Sequence, residues 1–336
     1  MSLAGSAEQD QFAAALHELL SAADVTGAAR RWAGQDYAAG LAVWRRLAGA
    51  GATALAVPAE HGGLGASLAD LMIACEEAGH HALPGPVAES LAAIPVLLAG
   101  LAAEPAAAAW LPLLAAGDLI ATVALPPDRP YAADAGPAGL TLLVQDDTAW
   151  LATPGTSRPS VDPARRLWSV DGRELLARGP AVATAAARAL DAGALACAAQ
   201  LLGAGRALLE HSVRHALRRT QFGRPVGSFQ AVKHRLADVA IALEFARPLV
   251  AEAADALTEG RATAARDISA AKVAATDAAH LAARAALQIH GAIGYTQELD
   301  LHLWLTKVHA LASAWGSQAA HRARVLAALT GEAACR

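Results

Sequence analysis

The sequence is poor in cysteine and in clustered charge. Its three cysteines, Cys75, Cys197 and Cys335, are scattered and odd in number, which fits neither a disulfide framework nor a zinc knuckle and favours small core or tail positions. The formal net charge is −4, and no block of lysine or arginine stands out along the chain. Nucleic-acid binding needs such a basic footprint, so we expect no nucleic-acid partner.

A long uninterrupted apolar run is also missing. The most apolar region is broken by Pro95, Pro105 and Pro112 and carries the charges of Glu104 and Asp118. We therefore predict no segment that crosses a membrane. The first residues are polar and lack the basic start of a secretory signal, so the expectation is a cytoplasmic protein.

What the chain has in excess is alanine, which makes up much of its 55% hydrophobic content. Alanine forms helices well and buries little area per residue. A length of 336 residues suits two or three packed units with a shared core. The patterning predicts a mainly α protein with a small β insertion: a helical domain over residues 1–118, a β domain over 119–180 and a helical bundle over 181–336.

The β domain is predicted from four β-prone runs, LIATVAL, LTLLVQ, TAWLAT and RLWSVDG, which are separated by Pro/Gly turns. In the first domain, the loop PAEHGGLGAS ends at Ser67, which can cap the next helix. After Ala181 the helical spacing returns in long segments that predict a four-helix bundle. These segments are 183–217, 229–258, 264–289 and 301–330.

The stretch RTQFGRPVGSFQ, residues 219–230, is the first specific motif. Its residues predict a helix end carrying Arg219, a Gly/Pro turn, and a new helix that Ser228 opens with free N–H groups for an anion. Such a corner suits a phosphate group. Taken alone, Arg219 is more typical of a solvated arginine at a helix end.

Three motifs together resemble the acyl-CoA dehydrogenase family. RTQFGRPVGSFQ and the following QAVKHRLADVAIALEFAR are similar to an Arg-x-x-Phe-Gly turn and a Phe/His-Gln pair that bind the flavin in that family. QIHGAIGYTQE is similar to the loop around the flavin diphosphate, and VWRRLAGAGATALAVPAEHGGLGASLADLMIACEEAG to the N-terminal helical domain. Singly, Gln288 is typical of a surface residue, His290 of a half-buried histidine and Gly291 of a helix end. The joint order and spacing of the motifs carry the resemblance.

The resemblance implies FAD as the cofactor. Arg219 would pair bidentately with the pyrophosphate, and Phe222 would lie against the adenine. Phe229 and Gln230 would contact the flavin or its ribityl-adenosine portion. Gly291 would let the backbone approach the diphosphate closely. The full set of predicted cofactor contacts is Arg219, Phe222, Phe229, Gln230, Gln288, Ile289, His290, Gly291, Ala292 and Ser317, with Ala292 replacing a usual second glycine.

The family's catalytic glutamate has no counterpart in this chain. Aligned without a gap from Gln288, its position falls on Trp315, followed by Gly316 and Ser317 where the family has Gly-Thr. That glutamate removes the proton next to the thioester carbonyl, and an indole N–H cannot accept a proton. In some relatives the base lies instead on the helix before the Arg-x-x-Phe-Gly turn, at a position that aligns near Gly193. Glycine has no side chain that could act as a base. We therefore predict no catalytic residue in this chain.

Two further departures concern the surroundings of the flavin. The family's Arg-Asp pair upstream of the base is Thr306-Lys307 here, and its longer middle domain is reduced to TVALPPDRP and a truncated set of strands. The chain lacks the base but keeps the residues that, in the family, reach the flavin of a neighbouring subunit. This combination predicts that the chain forms one half of a flavin site shared between two subunits. The chain resembles the short, base-less subunits of actinobacterial heteromeric acyl-CoA dehydrogenases that oxidise CoA esters of sterol side chains.

This resemblance implies an FAD-linked subunit for the α,β-dehydrogenation of an acyl-CoA thioester. Its expected partners are an acyl-CoA substrate, a catalytic acyl-CoA dehydrogenase subunit, and an electron-transfer flavoprotein or similar acceptor. Two alternatives stay open. One is a self-sufficient homo-oligomer with a base such as Asp191 or a bound water; the other is a non-catalytic member that binds acyl-CoA or a protein through its bundle and holds no flavin.

Overall fold

The computed structural model describes residues 6–296 and 298–331, and helices form its first part. Ser67 caps the fourth helix as predicted: its Oγ accepts a hydrogen bond from Asp70 N at 3.2 Å, and the Asp70 carboxylate accepts one from Ser67 N at 3.2 Å. A π-helical turn, Glu89–Ala93, leads into the fifth helix. The helices are α1 (Ala7–Ser21), α2 (Val25–Ala33), α3 (Ala38–Gly49), α4 (Leu68–His80), α5 (Ile94–Ala99), α6 (Pro105–Ala108) and α7 (Leu111–Ala116).

A five-stranded sheet follows, in the order β1-β3-β4-β5-β2. Only β1 and β3 pair in parallel among the described strands of this sheet; the other pairs are antiparallel. The strands are β1 (Ala121–Ala124), β2 (Ala132–Ala133), β3 (Leu140–Gln145), β4 (Thr148–Arg158) and β5 (Leu167–Arg178).

The sheet is longer than the sequence predicts. The third strand lies where LTLLVQ predicts it, but β4 and β5 run past the predicted ends at residues 153 and 172. Pairing continues through Pro154 and Gly155 because register shifts absorb these residues, which read as a turn in the sequence. The two-residue strand β2, which pairs with Leu167 and Trp168, was not predicted.

The last part of the described chain is a helical bundle with a small hairpin. The predicted fourth helix, 301–330, is two helices, because the backbone breaks between them at residues 314–317, where Trp315 has a φ of +58°. The second prediction to correct is the helix start at Ser228: this residue lies in a 3-10 turn, and Phe229 is the N-cap. The elements are α8 (Pro180–Arg218), β6 (Thr220–Gln221), β7 (Arg224–Pro225), α9 (Gln230–Thr258), α10 (Ala264–His290), α11 (Leu301–Ser313) and α12 (Gln318–Thr330).

Helix α8 is the centre of the molecule and packs on α4, α9, α10 and α11. It is long and apolar enough to cross a membrane by length and composition, but 89% of its most apolar window is buried inside the protein. Against α4, two glycines bring the backbones into contact: a Cβ at Gly79 would overlap the Gln200 carbonyl, and a Cβ at Gly203 would overlap the Glu76 carbonyl. The close approach of α4 and α8 therefore keeps the core densely packed although the side chains between them are small.

The cysteines of the described chain lie in this core. Cys75 and Cys197 are free and fully buried, and burial raises the pKa of both thiols. Both are therefore inert packing residues, as the sequence predicts. The third cysteine, Cys335, lies outside the described residues.

Candidate functional site

The two positions that align with catalytic bases of the family face each other across the bundle. Trp315 follows α11 and is 4% exposed, and its indole lies over Gly193 in the middle of α8. A Cβ at Gly193 would overlap the six-membered ring of the indole. Absence of a side chain at one position therefore makes room for the large side chain at the other.

The loop after β1 closes the other side of the indole. The Arg129 guanidinium lies 3.2 Å from the centroid of the Trp315 ring, and its Nη2 donates a hydrogen bond to Glu89 at 2.9 Å. Arg165 adds a second cation 3.8 Å from the same Glu89 oxygen. Burial lowers the pKa of Arg129, and Glu89 opposes that shift. A buried cation thus faces the place where a proton-accepting carboxylate would have to lie.

Hydrogen bonds stabilise the segment between α11 and α12 that carries Trp315. Lys272, fully buried on α10, donates from Nζ to the Leu311 carbonyl at 3.0 Å, and its desolvation lowers its pKa. The His321 Nε2 lies 2.9 Å from the Trp315 carbonyl, so it donates there in the tautomer that carries the proton on Nε2. Ser317 Oγ accepts from Ala320 N and starts α12. These contacts satisfy backbone groups that the break would leave unpaired.

A cavity of about 690 Å³ lies between the β domain and the bundle beside this cluster. Ser317 lines it and is the single predicted cofactor contact that does so among the described residues. Three arginines and the carboxylate of Asp128 lie in its walls. Its lining includes Arg129, Tyr131, Arg165, Leu190, Trp315, Ser317, His321 and Arg324.

Asp191, the alternative candidate for the base, is held away from this role. Its carboxylate accepts a hydrogen bond from Arg324 Nη1 at 2.6 Å, and the residue is not among those that line the cavity. Asp191 therefore ties α8 to α12 as an ion pair and is not free to act as the base.

The predicted phosphate corner is the hairpin β6–β7. Arg219 follows α8 and is exposed, and within the described chain its guanidinium makes no hydrogen bond or ion pair. Phe222 is 92% exposed at the turn, with a φ of +52°. The Arg224 guanidinium stacks 4.1 Å from the centroid of the half-buried Phe229 ring. The exposed Gln230 starts α9. The corner thus presents its polar and aromatic groups outward.

The second predicted loop is the end of α10 and the following 3-10 turn, Gly291–Tyr295. Gly291 has φ 64° and ψ −142°, a backbone conformation open to glycine and closed to other residues, and no atom lies within 4 Å of where its Cβ would be. Ala292 and Gln288 are exposed and Ile289 is half-buried. His290 is buried, and its Nδ1 lies 2.8 Å from the Ala286 carbonyl. The His290 side chain therefore packs inside the chain, while the Gly291 backbone faces open space.

Sequence reasoning missed Arg129, Glu89 and Arg165. The signal for them was weak: one carboxylate in the apolar stretch PVAESLAAIPV, and one arginine between prolines in PPDRP. A charge inside an apolar stretch needs a partner when it is buried. The sequence does not show that the two charges, 40 positions apart, meet each other and Trp315.

The chain matches two domains of one known protein family. Residues 6–118 match the family described as "Acyl-CoA dehydrogenase, N-terminal domain", and residues 183–330 match "Acyl-CoA dehydrogenase, C-terminal domain". The chain belongs to the acyl-CoA dehydrogenase family. The resemblance stated from the motifs is confirmed, and so is the fold class, with helical, β and helical parts in that order. Members of this family are FAD-dependent oxidoreductases that act on CH–CH donors.

Among particular relatives, the chain is 37% identical over 270 residues to "Acyl-CoA dehydrogenase IpdE2" of Mycobacterium tuberculosis, covering 80% of each sequence. A solved Tcur3481-Tcur3483 steroid ACAD is similar with a TM-score of 0.83 at 22% identity, over 96% of this chain and 98% of that one. The ChsE4-ChsE5 complex from Mycobacterium tuberculosis is similar with a TM-score of 0.84 at 21% identity, over 99% and 100% of the two chains. These structures share the fold.

The predicted contacts fit the anionic part of FAD as surface donors. Arg219 offers an uncommitted planar guanidinium, which matches a pyrophosphate. At Gly291 no atom lies within 4 Å of where a Cβ would be, so the backbone is open to an approaching group. Neither group lines the cavity beside Trp315, and both lie at the protein surface. The residues therefore fit a flavin that approaches this surface from outside the chain.

Proposed function

We propose that this chain is a subunit of an FAD-linked acyl-CoA dehydrogenase that shares a flavin site with a catalytic partner subunit. The reaction is the α,β-dehydrogenation of an acyl-CoA thioester. One observation carries the proposal: both positions where the family places its base, 315 and 193, lack a carboxylate, and the two residues pack against each other. The indole of Trp315 therefore fills the space that a side chain at position 193 would need.

The electrostatics beside Trp315 support the same conclusion. Proton abstraction needs a group that can accept a proton close to the substrate. The nearest charged group to the indole is Arg129, and the carboxylate behind it, Glu89, is engaged by Arg129 and Arg165. Asp191 is engaged by Arg324. Neither carboxylate is free to act as a base, which supports transfer of the proton to a group on another chain.

The exposed residues of the two predicted loops give this chain a role in binding the cofactor. Arg219 and the backbone N–H groups of the Gly291 loop would hold the FAD diphosphate, and Phe222 would cover the adenine. FAD supplies the hydride acceptor when it is bound. The exposure of Arg219 and Phe222 supports a role across an interface, since both side chains stand out from the surface of this chain.

The proposed substrate is the CoA thioester of a steroid or a similarly bulky acyl group. The support is the similarity in fold to the steroid ACAD and to the ChsE4-ChsE5 complex, together with the absence of a base from this half of the site. The proposed acceptor of the electrons is an electron-transfer flavoprotein or a protein of that kind.

Turnover with and without a partner tests the proposal. The purified chain, reconstituted with excess FAD, should give no dye-coupled oxidation of short, long or steroid acyl-CoAs. Adding the glutamate-bearing acyl-CoA dehydrogenase chain that co-purifies with it from its native host should restore turnover. The negative control is that partner with its glutamate changed to glutamine. Robust turnover by the lone chain, persisting in Asp191→Asn, would overturn the subunit assignment.

A further inference from the structure

Three histidines and a glutamate meet at the junction of α1, α4 and α8, away from the cluster around Trp315. His17 lies on α1, Glu77 and His80 lie on α4, and His81 is the C-cap of α4. Each offers one possible ligand atom, and these four atoms all lie within 4.8 Å of one another. A cavity of about 350 Å³ opens onto the cluster and is lined by His17, His80 and His81.

The spacing of the atoms fits the edges of a small coordination polyhedron. His17 Nδ1 lies 3.0 Å from Glu77 Oε2 and 3.3 Å from His81 Nε2, and His81 Nε2 lies 3.9 Å from Glu77 Oε2. Four ligands at the usual zinc distances of about 2.0–2.1 Å are about 3.3 Å apart in a tetrahedron. The three separations among His17, Glu77 and His81 bracket that edge length, and the separations from His80 are at most 4.8 Å.

Hydrogen bonds alone leave these contacts poorly satisfied. If both rings carry a proton at the facing nitrogens, two N–H groups point at each other across 3.3 Å. If only His17 carries it, one proton must serve the Glu77 oxygen and the His81 nitrogen together. A cation between the three atoms would satisfy all of their lone pairs at once.

His80 supplies an independent observation. Its side chain is 9% exposed, and its Nε2 lies 3.1 Å from Glu210 Oε2. Its Nδ1 is buried and has no hydrogen-bond partner among the described residues. Histidines that bind metals commonly donate their second ring N–H to a carboxylate, which fixes the tautomer and frees the other nitrogen. Glu210 holds His80 in that state.

The charges around the cluster are compatible with a bound cation. Glu77 and Glu210 face it, and Arg206 bonds the other Glu77 oxygen while also pairing with Glu76. Arg214 lies 3.7 Å from Glu210, and His211 lines the same cavity.

We propose that His17, Glu77, His80 and His81 bind one Zn²⁺ ion, or a similar divalent cation that favours imidazole ligands, in a tetrahedral structural site. Four protein ligands fill the coordination sphere, so no position stays open for a catalytic water. The metal would join α1 to the end of α4, and through Glu210 to α8. This site is independent of the proposed dehydrogenase role.

Cobalt titration of the full chain tests the site. The protein is treated with a chelator, dialysed and titrated with Co²⁺, whose tetrahedral complexes absorb strongly in the visible. Wild type should bind one equivalent with tetrahedral bands, and Zn²⁺ should displace the Co²⁺ and raise the melting temperature. His17→Gln should weaken Co²⁺ binding at least about 100-fold. The His17 side chain is 46% exposed, so the substitution leaves the core intact.

His234→Gln, on the exposed surface of α9, is the matched control and should bind like wild type. His81→Gln provides a second ligand variant with the same expected loss, and circular dichroism checks that each variant is folded. Wild type without a stoichiometric, tetrahedral Co²⁺ complex would overturn the proposal. Equal Co²⁺ affinity in wild type and in folded His17→Gln would overturn it as well.

Discussion

At the scale of single residues, the indole of Trp315 and the guanidinium of Arg129 form one buried pair. A cation over the face of tryptophan gains about 0.5–2 kcal/mol, with the larger values where water is excluded. Glu89 neutralises the guanidinium from its other side at 2.9 Å. The indole fills the space for a catalytic side chain, and the guanidinium places a positive charge beside it. A single substitution therefore cannot rebuild a catalytic base there.

Trp315→Glu should therefore create no dehydrogenase. The new carboxylate would lie beside Arg129 and form an ion pair, and loss of the ring should lower the free energy of unfolding by about 3 kcal/mol. Dye-coupled acyl-CoA oxidation and urea unfolding measure the two effects. Trp315→Phe is the control: the Trp315 Nε1 has no hydrogen-bond partner in residues 6–296 and 298–331, so its loss should cost less than about 1.5 kcal/mol. Turnover by lone Trp315→Glu would contradict this view of the site.

Asp134 gives a prediction for pH. Burial raises its pKa from the ordinary 3.8 to about 7, against the hydrogen bond from Arg166 N at 3.0 Å. Between pH 4 and 7 the folded state therefore holds a proton that the unfolded state has lost. Stability should fall as pH rises through this window, by at most about 1.4 kcal/mol per pH unit, and level off above it.

Asp134→Asn should remove most of that dependence and raise the free energy of unfolding at pH 8 by about 1–3 kcal/mol. The amide oxygen can still accept from Arg166 N and from Trp32 Nε1, which lies 3.3 Å away, and asparagine tolerates the φ of +49°. Urea unfolding at several pH values measures the effect, with the exposed Asp171→Asn as control. An unchanged pH profile in Asp134→Asn would show that Asp134 ionises without cost in the folded protein.

At the scale of elements, the hairpin β6–β7 is a two-plus-two-residue ribbon that carries exposed side chains between the two long helices α8 and α9. Backbone bonds hold it: Val226 N donates to the Arg219 carbonyl at 2.7 Å. The ribbon is therefore fixed although its side chains are exposed. An exposed arginine on a fixed ribbon suits a bound anion, because little further backbone ordering is needed.

Arg219→Ala should weaken FAD retention in the proposed assembly by about 10–100-fold, since a charge-assisted contact contributes roughly 1.5–3 kcal/mol. Flavin absorbance per protein after gel filtration measures retention. Arg45→Ala, an exposed arginine on α3, is the matched control and should retain flavin like wild type. If Arg219→Ala keeps full flavin occupancy, Arg219 is only a solvated helix-end charge.

Element boundaries show how far the sequence could be used for prediction. The β-prone run LTLLVQ gives β3 correctly, because one run of six residues forms one strand. The break at Trp315 escapes prediction, because the apolar spacing continues from α11 into α12, and the contacts that stabilise the break come from Lys272 and His321. Likewise, Glu89 and Arg129 meet only through the fold. Local patterns predict elements and motifs, whereas charges that meet across elements need the structure.

At the scale of the whole molecule, one apolar row is left uncovered. Ile241, Phe245 and Leu249 lie four residues apart on α9 and are 53%, 74% and 43% exposed. This spacing puts them on one face of the helix, beside a groove between α9 and α10 of about 390 Å³. In the proposed assembly this row is buried against another subunit.

Phe245→Glu should weaken that assembly by about 10–100-fold, since burying a phenylalanine contributes about 1.5–3 kcal/mol and a buried unpaired charge opposes association. Sedimentation velocity over a concentration series measures it. Leu64→Glu, at a 60% exposed position in the N-terminal part, is the control and should assemble like wild type. Identical sedimentation of Phe245→Glu and wild type would place the interface elsewhere.

The paired glycines of α4 and α8 have a consequence for how such an assembly can move. Backbone touches backbone at Gly79 and at Gly203, so at these two points no side chain separates the helices. Such close backbone contact between α4 and α8 opposes both a hinge motion and sliding of one helix along the other. The N-terminal helices and the central helix then travel as one body. Any opening that admits a bulky substrate therefore has to come from elsewhere: from the boundary between the β domain and the bundle beside the cavity of about 690 Å³ or, in the proposed assembly, from the contact with another subunit.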